Sequence, residues 1–148
     1  MFERFIVATD LSPASDAMVG CLAGLSTYGA RHALLLLCLD MQEATSAAFS
    51  YTTSPLETVL ARQQAMLEKQ GFEVETRIVP GFARSEINRI ARAEDCGLVV
   101  VGSHGHSMLG GVASEVLHGA TRPVLVMRLR RDEQSGEVCV LPASTCSR

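Results

Sequence analysis

Several signals that would identify common functions are missing from this chain of 148 residues. The formal net charge is −3 and the Lys and Arg residues are scattered, so there is no basic face and nucleic acid is not an expected partner. Apolar runs such as Ala33–Leu39 are far shorter than the roughly 20 residues that cross a bilayer. The opening residues Met1–Arg4 lack the basic-then-apolar pattern of a secretory signal. These absences predict a cytoplasmic protein that does not associate with membranes.

The sequence also lacks the cysteine pattern that usually marks a disulfide framework or a metal site. The five cysteines are odd in number and include no Cys-x-x-Cys pair. Cys21, Cys38 and Cys96 lie within apolar patterns, which predicts buried, reduced thiols. Cys139 and Cys146 follow near the end of the chain.

What the sequence does contain is an alternation of apolar strand patterns with helical ones. Strands are predicted over residues 5–10, 33–40, 72–79, 98–102 and 123–128. Helices are predicted from Ser12-Pro13 to Gly29, from Ser54-Pro55 to Gly71, around Ile87, Ile90 and Ala91, and over residues 110–119. Strands separated by helices indicate right-handed crossovers, and therefore an α/β fold with an open parallel sheet and helices on both faces. The third strand alternates more than the others, which predicts an edge position.

The most informative stretch runs from Val99 through Gly102 to Gly105 and reaches Gly110 and Gly111. A buried strand here enters a glycine-rich loop, whose backbone N–H groups can approach an anion closely. A helix that begins near Gly110 would add its first amides to the same site. The pattern favours phosphate recognition, although neither a Walker-type Gly-Lys-Ser/Thr nor a Gly-x-Gly-x-x-Gly is present. The alternative is that the glycines only turn a strand into a helix.

Asp10 ends the first strand, as the glycine loop ends the fourth. Ligands of open α/β sheets bind beyond the carboxyl ends of the strands, where the winding direction reverses. If the two strands are neighbours, Asp10 could accept a hydrogen bond from a ribose or base while the glycine amides donate to phosphate. The alternative is a carboxylate that caps the following helix.

Other chemistry is less well supported. His104 and His106, together with His118, have no further ligand at a recognisable spacing, so no metal site is predicted. Ser103 precedes a histidine but lies in no Gly-x-Ser-x-Gly turn, which argues against acyl transfer. No catalytic residue is predicted, and slow nucleotide hydrolysis is the most that is expected.

Residues 4–130 resemble the universal stress protein family. The resemblance rests on the combination of Ile6–Ser12, Pro80-Gly81, Leu98–Gly105, Gly111–Ala113, Val116-Leu117 and Ala120–Val126. It implies a Rossmann-like, five-stranded parallel sheet in the order 3-2-1-4-5 and a homodimer formed through the fifth strand, Pro123–Arg128. In one branch of the family it also implies ATP at the crevice described above, and a Mg²⁺ ion could enter with such a nucleotide.

The strand ends and the resemblance together predict one set of residues for an adenine nucleotide such as ATP, ADP or AMP. The set is Ala8, Thr9, Asp10, Leu39, Asp40, Val101, Gly102, His104, Gly105, His106, Gly110, Gly111 and Val112.

One departure from the family pattern affects function. The ATP-binding branch has Gly-x-x-Gly, nine further residues, and then Gly followed by Ser or Thr. In this chain the position after those nine residues is Glu115, and Gly110-Gly111 aligns with the final pair instead, so five residues are missing and Gly111 supplies no hydroxyl. Two functions therefore remain: a nucleotide-binding stress-response protein, and a dimeric regulatory or scaffold domain that kept the fold but lost tight nucleotide binding.

Two further segments are open to more than one interpretation. Residues 41–54 form a long connection in which Phe49 and Tyr51 could close over a base, or which could be a mobile surface loop. The family resemblance ends near Arg130, so residues 1–131 are expected to form the domain and residues 132–148 a linker or arm. Residues 137–142 are β-prone and could pack on a sheet edge or a partner subunit, lead into a second copy of the domain, or be disordered.

Overall fold

The computed structural model describes residues 2–39, 46–103, 111–131, 134 and 138–140, with the backbone alone for 46–54, 111, 131 and 138–140. Strands and helices alternate along the chain. The elements are β1 (Arg4–Ala8), α1 (Pro13–Val19), a 3₁₀ helix (Ala23–Tyr28), β2 (His32–Leu39), α2 (Ser46–Lys69), β3 (Glu73–Pro80), α3 (Ala83–Ala93), β4 (Leu98–Ser103), α4 (Gly111–His118), β5 (Val124–Arg131) and β6 (Val138–Val140).

The strands form one sheet in the order β3-β2-β1-β4-β5-β6. The first five strands in this order are parallel, which confirms the predicted α/β fold and the order 3-2-1-4-5. Val7 on β1 is in register with Leu35 on one side and Val100 on the other, so the three most apolar strands occupy the centre. β3 lies at the edge, as its alternating pattern predicts.

Each face of the sheet has its own hydrophobic core. Successive residues of a strand point to opposite faces, so Phe5 and Val7 of β1 belong to one cluster and Ile6 to the other. The first cluster includes Met18 of α1 and Leu67 of α2. The second includes the apolar residues that α3 and α4 present at helical spacing: Ile87, Ile90, Ala91, Ala113 and Val116.

The first helix is shorter than predicted. Ser12 is the N-cap, and its Oγ accepts from the N–H of Ser15 at 3.2 Å, as the Ser-Pro start predicts. The single helix expected to reach Gly29 is wrong, because α1 ends at Val19 and a separate 3₁₀ helix follows. Gly20 and Gly24 fall inside the predicted span, and glycine is a poor helix former.

This break also changes the environment of one cysteine. Cys21 is exposed, so the expectation that it is buried is wrong. Cys38 is partly buried and Cys96 is buried, and all three are free thiols.

The second helix begins earlier than predicted. α2 starts at Ser46, which places Pro55 inside the helix and corrects the predicted start at Ser54-Pro55. An internal proline lacks the N–H that would bond the carbonyl four residues earlier, and its ring crowds that carbonyl, so the local preference at Pro55 is against a helix interior. The side chains of Phe49 and Tyr51, and residues 40–45, lie outside the described part of the chain.

The C-terminal segment adds a strand to the predicted sheet. β5 extends three residues past its predicted end at Arg128, and β6 pairs with this extension in antiparallel orientation, with Leu129 opposite Val140 and Arg131 opposite Val138. Of the alternatives for residues 137–142, strand pairing on a sheet edge is the one that residues 138–140 adopt. No helix within the described ranges is long and apolar enough to cross a membrane.

Candidate functional site

A cavity of about 460 Å³ opens at the carboxyl ends of β1, β2 and β4. The sheet continues from β1 through β2 on one side and through β4 on the other, so the cavity lies where the winding direction reverses. Its size is within the range of small-molecule sites, which is about 300–1,000 Å³. The lining residues are Ala8, Thr9, Asp10, Ser15, Met18, Leu36, Leu37, Cys38, Leu39, Ala83, Ile87, Val101, Gly102, Val112, Ala113 and Leu129.

The structure brings seven of the predicted site residues together in this lining: Ala8, Thr9, Asp10, Leu39, Val101, Gly102 and Val112. Gly111 begins α4 beside Val112. The predicted residues Asp40, His104, Gly105, His106 and Gly110 lie outside the described part of the chain.

The walls of the cavity are mostly apolar. β2 contributes four consecutive residues from Leu36 to Leu39, and the starts of α3 and α4 contribute Ala83 and Ala113. Because a nucleobase has large apolar faces, such a cleft suits a base better than a free phosphate. Among the described lining residues there is one carboxylate, Asp10, and no basic side chain. This composition is suited to binding a small molecule.

The Asp10 turn connects the end of β1 to α1. Asp10 Oδ1 accepts from the N–H of Ser12 at 2.9 Å, which forms an Asx turn. Leu11 has φ 62°, a left-handed conformation that a leucine seldom adopts. Ser12 rather than Asp10 is the N-cap of α1. The turn places the Asp10 carboxylate in the cavity lining while its backbone remains close to the helix start.

Gly102 of β4 lies against the side chains of Leu129 on β5 and Met18 on α1. A Cβ at this position would lie 3.0 Å from Leu129 Cδ1 and 3.3 Å from Met18 Sδ. The absence of a side chain therefore lets two lining residues meet over the strand. Leu129 is almost fully buried, although sequence reasoning placed it outside the fifth strand.

Cys38 lies in the β2 wall of the cavity. Burial, with a smaller contribution from the charge of Glu86, raises the pKa of the Cys38 thiol to about 11. The thiol therefore stays neutral at physiological pH and contributes apolar surface rather than a nucleophile.

Several lining residues were missed by sequence reasoning. Met18 and Ile87 belong to apolar helical patterns, and both are core residues in the structure that also line the cavity. Nothing in the local pattern distinguishes a core residue that also lines a cavity.

Within the described ranges, no group of three or more His, Cys, Asp or Glu side chains could hold a metal ion. His118 is exposed at the end of α4.

Comparisons with known proteins agree with this geometry. The sequence model of the Universal stress protein family matches residues 1–128. Universal stress protein MJ0577 of Methanocaldococcus jannaschii is 24% identical over 155 residues, which cover 86% of this chain and 96% of that protein. Its solved structure aligns with a TM-score of 0.76 and 27% identity, again over 86% of this chain and 96% of the other.

Two further solved structures contain adenine nucleotides. A universal stress protein in complex with cAMP aligns with a TM-score of 0.69 and 20% identity over 86% of this chain and 97% of its own. The universal stress protein from Archaeoglobus fulgidus in complex with dAMP aligns with a TM-score of 0.66 and 19% identity over 85% of this chain and 98% of its own. At these identities the likeness shows a shared fold.

Proposed function

Because this chain belongs to the universal stress protein family, we propose that it binds an adenine nucleotide in stress-response regulation. The nucleotide occupies the cavity beyond β1, β2 and β4. The observation that carries this proposal is the combination in one cavity of an apolar cleft, the Asp10 carboxylate and the start of α4. These three features suit a base, a ribose and a phosphate, in that order.

Each part of the nucleotide has a counterpart in the site. The base packs between the β2 wall and the apolar residues at the starts of α3 and α4. The Asp10 carboxylate accepts from a ribose hydroxyl, a charge-assisted hydrogen bond of the stronger kind. The phosphate lies toward the N-terminus of α4, where Gly111 and Val112 present backbone N–H groups and the helix dipole favours an anion.

A nucleotide with one phosphate fits the chain better than a triphosphate. Five residues of the phosphate-binding pattern are missing between Gly105 and Gly110, and Gly111 carries no hydroxyl. Fewer backbone donors are then available for a β- or γ-phosphate. The structural neighbours with cAMP and dAMP show that this fold accommodates adenine nucleotides with a single phosphate.

Calorimetric titration tests the proposal directly. AMP, cAMP, ADP and ATP are titrated into the full chain with and without Mg²⁺, with GMP as a control for the base. We expect AMP or cAMP to bind more tightly than ATP, and binding to raise the unfolding temperature, because a ligand that binds only the folded state stabilises it. No heat and no thermal shift with any of the adenine nucleotides at millimolar concentration would refute the proposal.

A charge-neutral variant tests the role of Asp10. Asp10→Asn keeps an oxygen that can accept from the N–H of Ser12, so the turn is preserved while the charge is lost. We expect AMP affinity to fall about tenfold, the usual range for a hydrogen bond to a charged group. Asp95→Asn is the control, because Asp95 is an exposed carboxylate before β4, at the opposite end of that strand from the cavity. Equal effects of the two variants would exclude a direct contact of Asp10 with the ligand.

The shortened phosphate pattern favours a second candidate function. A dimeric regulatory or scaffold domain would keep the fold without tight nucleotide binding, and the titration separates the two functions.

The free thiols Cys21, Cys38 and Cys96 are consistent with action in the cytoplasm.

A further inference from the structure

Gln63 of α2 is a fully buried polar side chain that does not itself line the cavity. Its amide oxygen accepts from the Thr9 hydroxyl at 2.7 Å. Its amide nitrogen donates to Ser15 Oγ at 3.2 Å and to Asp16 Oδ1 at 2.7 Å. A buried amide is costly unless its polar atoms are paired, and here the oxygen and both hydrogens have partners.

Asp16 determines which way round this amide lies. An ionised carboxylate only accepts hydrogen bonds, so the nitrogen of Gln63 must face it. In the reverse orientation the amide oxygen would lie against the carboxylate. Arg62 donates to the other carboxylate oxygen of Asp16 at 2.6 Å and holds it in place. The oxygen of Gln63 is therefore directed at Thr9.

Thr9 transmits this orientation to the Asp10 turn. Its single hydroxyl hydrogen has two acceptors within reach, Gln63 Oε1 at 2.7 Å and Ser15 Oγ at 3.1 Å, and the shorter contact assigns it to Gln63. The oxygen lone pairs are then left for the N–H of Leu11, at 3.0 Å. Leu11 is in the left-handed region, which is strained for a leucine and persists only where surrounding contacts stabilise it. The hydrogen bond from Leu11 to Thr9 is such a contact.

We infer that Gln63 is a positioning residue for the ligand site, which acts through Thr9 to hold the Leu11 turn and thereby the Asp10 carboxylate at the cavity. Its effect on ligand affinity rests on the proposed function, whereas its effect on the turn does not. Gln63 and Thr9 are 54 residues apart in the sequence, so a residue of α2 that does not itself line the cavity positions the turn at the end of β1.

Amide hydrogen exchange of the ligand-free protein, measured by NMR, tests the effect on the turn. Gln63→Met keeps the length and bulk of the side chain and removes its three hydrogen bonds. We expect exchange at the Leu11 and Ser12 amides to become at least about tenfold faster, in the range set by losing a buried hydrogen bond, while amides of β4 change less. AMP affinity of the same variant is expected to fall about tenfold.

Gln70→Met is the matched control, because Gln70, which directly follows α2, also joins that helix to the α1 region, through part-buried hydrogen bonds. It accepts from the N–H of Leu22 at 2.9 Å and donates to the carbonyl of Val19 at 2.8 Å. Its loss is expected to lower the unfolding temperature without accelerating exchange at the Leu11 amide or weakening AMP binding. Equal effects of the two glutamine variants would overturn the inference, since general destabilisation would then account for both.

A second pair of variants covers the case in which Gln63→Met does not fold. Thr9→Ser keeps the hydroxyl and is expected to leave the Leu11 amide protected, whereas Thr9→Val has the same shape but no acceptor and is expected to expose it. Where Gln63→Met does fold, adding Leu11→Asn to it is expected to restore AMP affinity in part, because asparagine tolerates the left-handed conformation. Unchanged exchange at Leu11 in Thr9→Val overturns the inference. If wild-type protein binds no nucleotide but the exchange results hold, only the proposed function fails.

Discussion

Gly102 is a residue at which one added methyl group would alter the cavity without removing any contact. The atoms that a Cβ would meet, Leu129 Cδ1 and Met18 Sδ, are ends of flexible side chains and can move by a few tenths of an ångström. Both side chains line the cavity, so their displacement reduces the space for a ligand. The residue thus links strand packing directly to the shape of the site.

We therefore expect Gly102→Ala to affect binding more than stability. Overpacking costs about 1–3 kcal/mol, and replacing glycine recovers about 0.4–1 kcal/mol of unfolded-state entropy, so the free energy of unfolding should fall by about 1 kcal/mol. AMP affinity should fall by about tenfold, equivalent to about 1.4 kcal/mol. Denaturant unfolding and calorimetry measure the two effects. Gly24→Ala is the control, since a Cβ there meets nothing within 4 Å, and wild-type affinity of Gly102→Ala would show that this part of the cavity holds no ligand.

Cysteine reactivity gives a second prediction at this scale. Because the thiolate is the reactive form and burial raises the pKa of Cys38 to about 11, its alkylation by iodoacetamide should be slow at pH 8 and accelerate as the pH rises toward 11. The exposed Cys21 should react before Cys38, and bound AMP should protect Cys38 but not Cys21. Mass spectrometry of peptides after timed alkylation measures the rates. Fast reaction of Cys38 at pH 8, or no protection by AMP, contradicts the proposed ligand position.

Among the elements, the pairing of β6 with the end of β5 has the clearest consequence for the cavity. β6 pairs with Leu129–Arg131 of β5. Of these residues, Leu129 is 5% exposed and lines the cavity. β6 also lies against α1, which contributes Ser15 and Met18 to the same lining. The strand thus supports the side of the cavity opposite to β2.

Removal of β6 is therefore expected to destabilise the fold. A chain that ends at Arg131 should unfold roughly 3–8 °C lower, since lost strand pairing and partial exposure of Leu129 amount to about 1–2 kcal/mol. A chain that ends at Val140 keeps β6 and serves as the control. Circular dichroism against temperature measures both chains, and light scattering reports any aggregation through the uncovered edge. An unchanged melting curve for the shorter chain would show that the pairing contributes nothing to stability.

At the scale of the whole molecule, the remaining edge of β5 is the basis for a proposed homodimer. From Val124 to Arg128 this strand pairs with β4 on one side, and on its other side the described residues give it a strand partner only from Leu129 onward. An apolar edge of this kind is prone to aggregation unless it is covered. Pairing of two copies through residues 123–128 would cover it with a self-complementary contact.

Substitution on this edge tests the dimer. The wild-type chain is expected to have twice the monomer mass by light scattering at tens of micromolar, and Val126→Lys is expected to shift it toward the monomer by placing a charge beside the contact. Tyr28→Lys is the control, because Tyr28 is an exposed apolar residue on the 3₁₀ helix before β2. A monomer mass for the wild type, or a dimer that Val126→Lys leaves unchanged, argues against an interface at β5.

The sequence supported predictions wherever a local pattern has one physical interpretation. The apolar runs of β1, β2 and β4 have the length and composition typical of strands buried on both faces, and Ser12-Pro13 combines the cap and the first-turn proline typical of a helix start. The same patterns placed Asp10 and Gly102 at strand ends, the family resemblance made those strands neighbours, and the structure brings the two residues together in one cavity.

Helix ends and the partners of buried polar groups depended on tertiary contacts instead. α1 ends before Gly20, as the local preference of glycine favours, whereas α2 includes Pro55 against the local preference of proline, so one residue alone does not decide where a helix begins or ends. Gln63 looks like any polar residue of a helix, and its role becomes visible only when Thr9, Ser15 and Asp16 surround it. The sequence by itself therefore determined the strand composition, the fold class and the strand ends that form the site. The tertiary structure alone decided the buried hydrogen bonds and the β6 pairing that shape the site, because these join residues far apart in the chain, where no local periodicity reports contact.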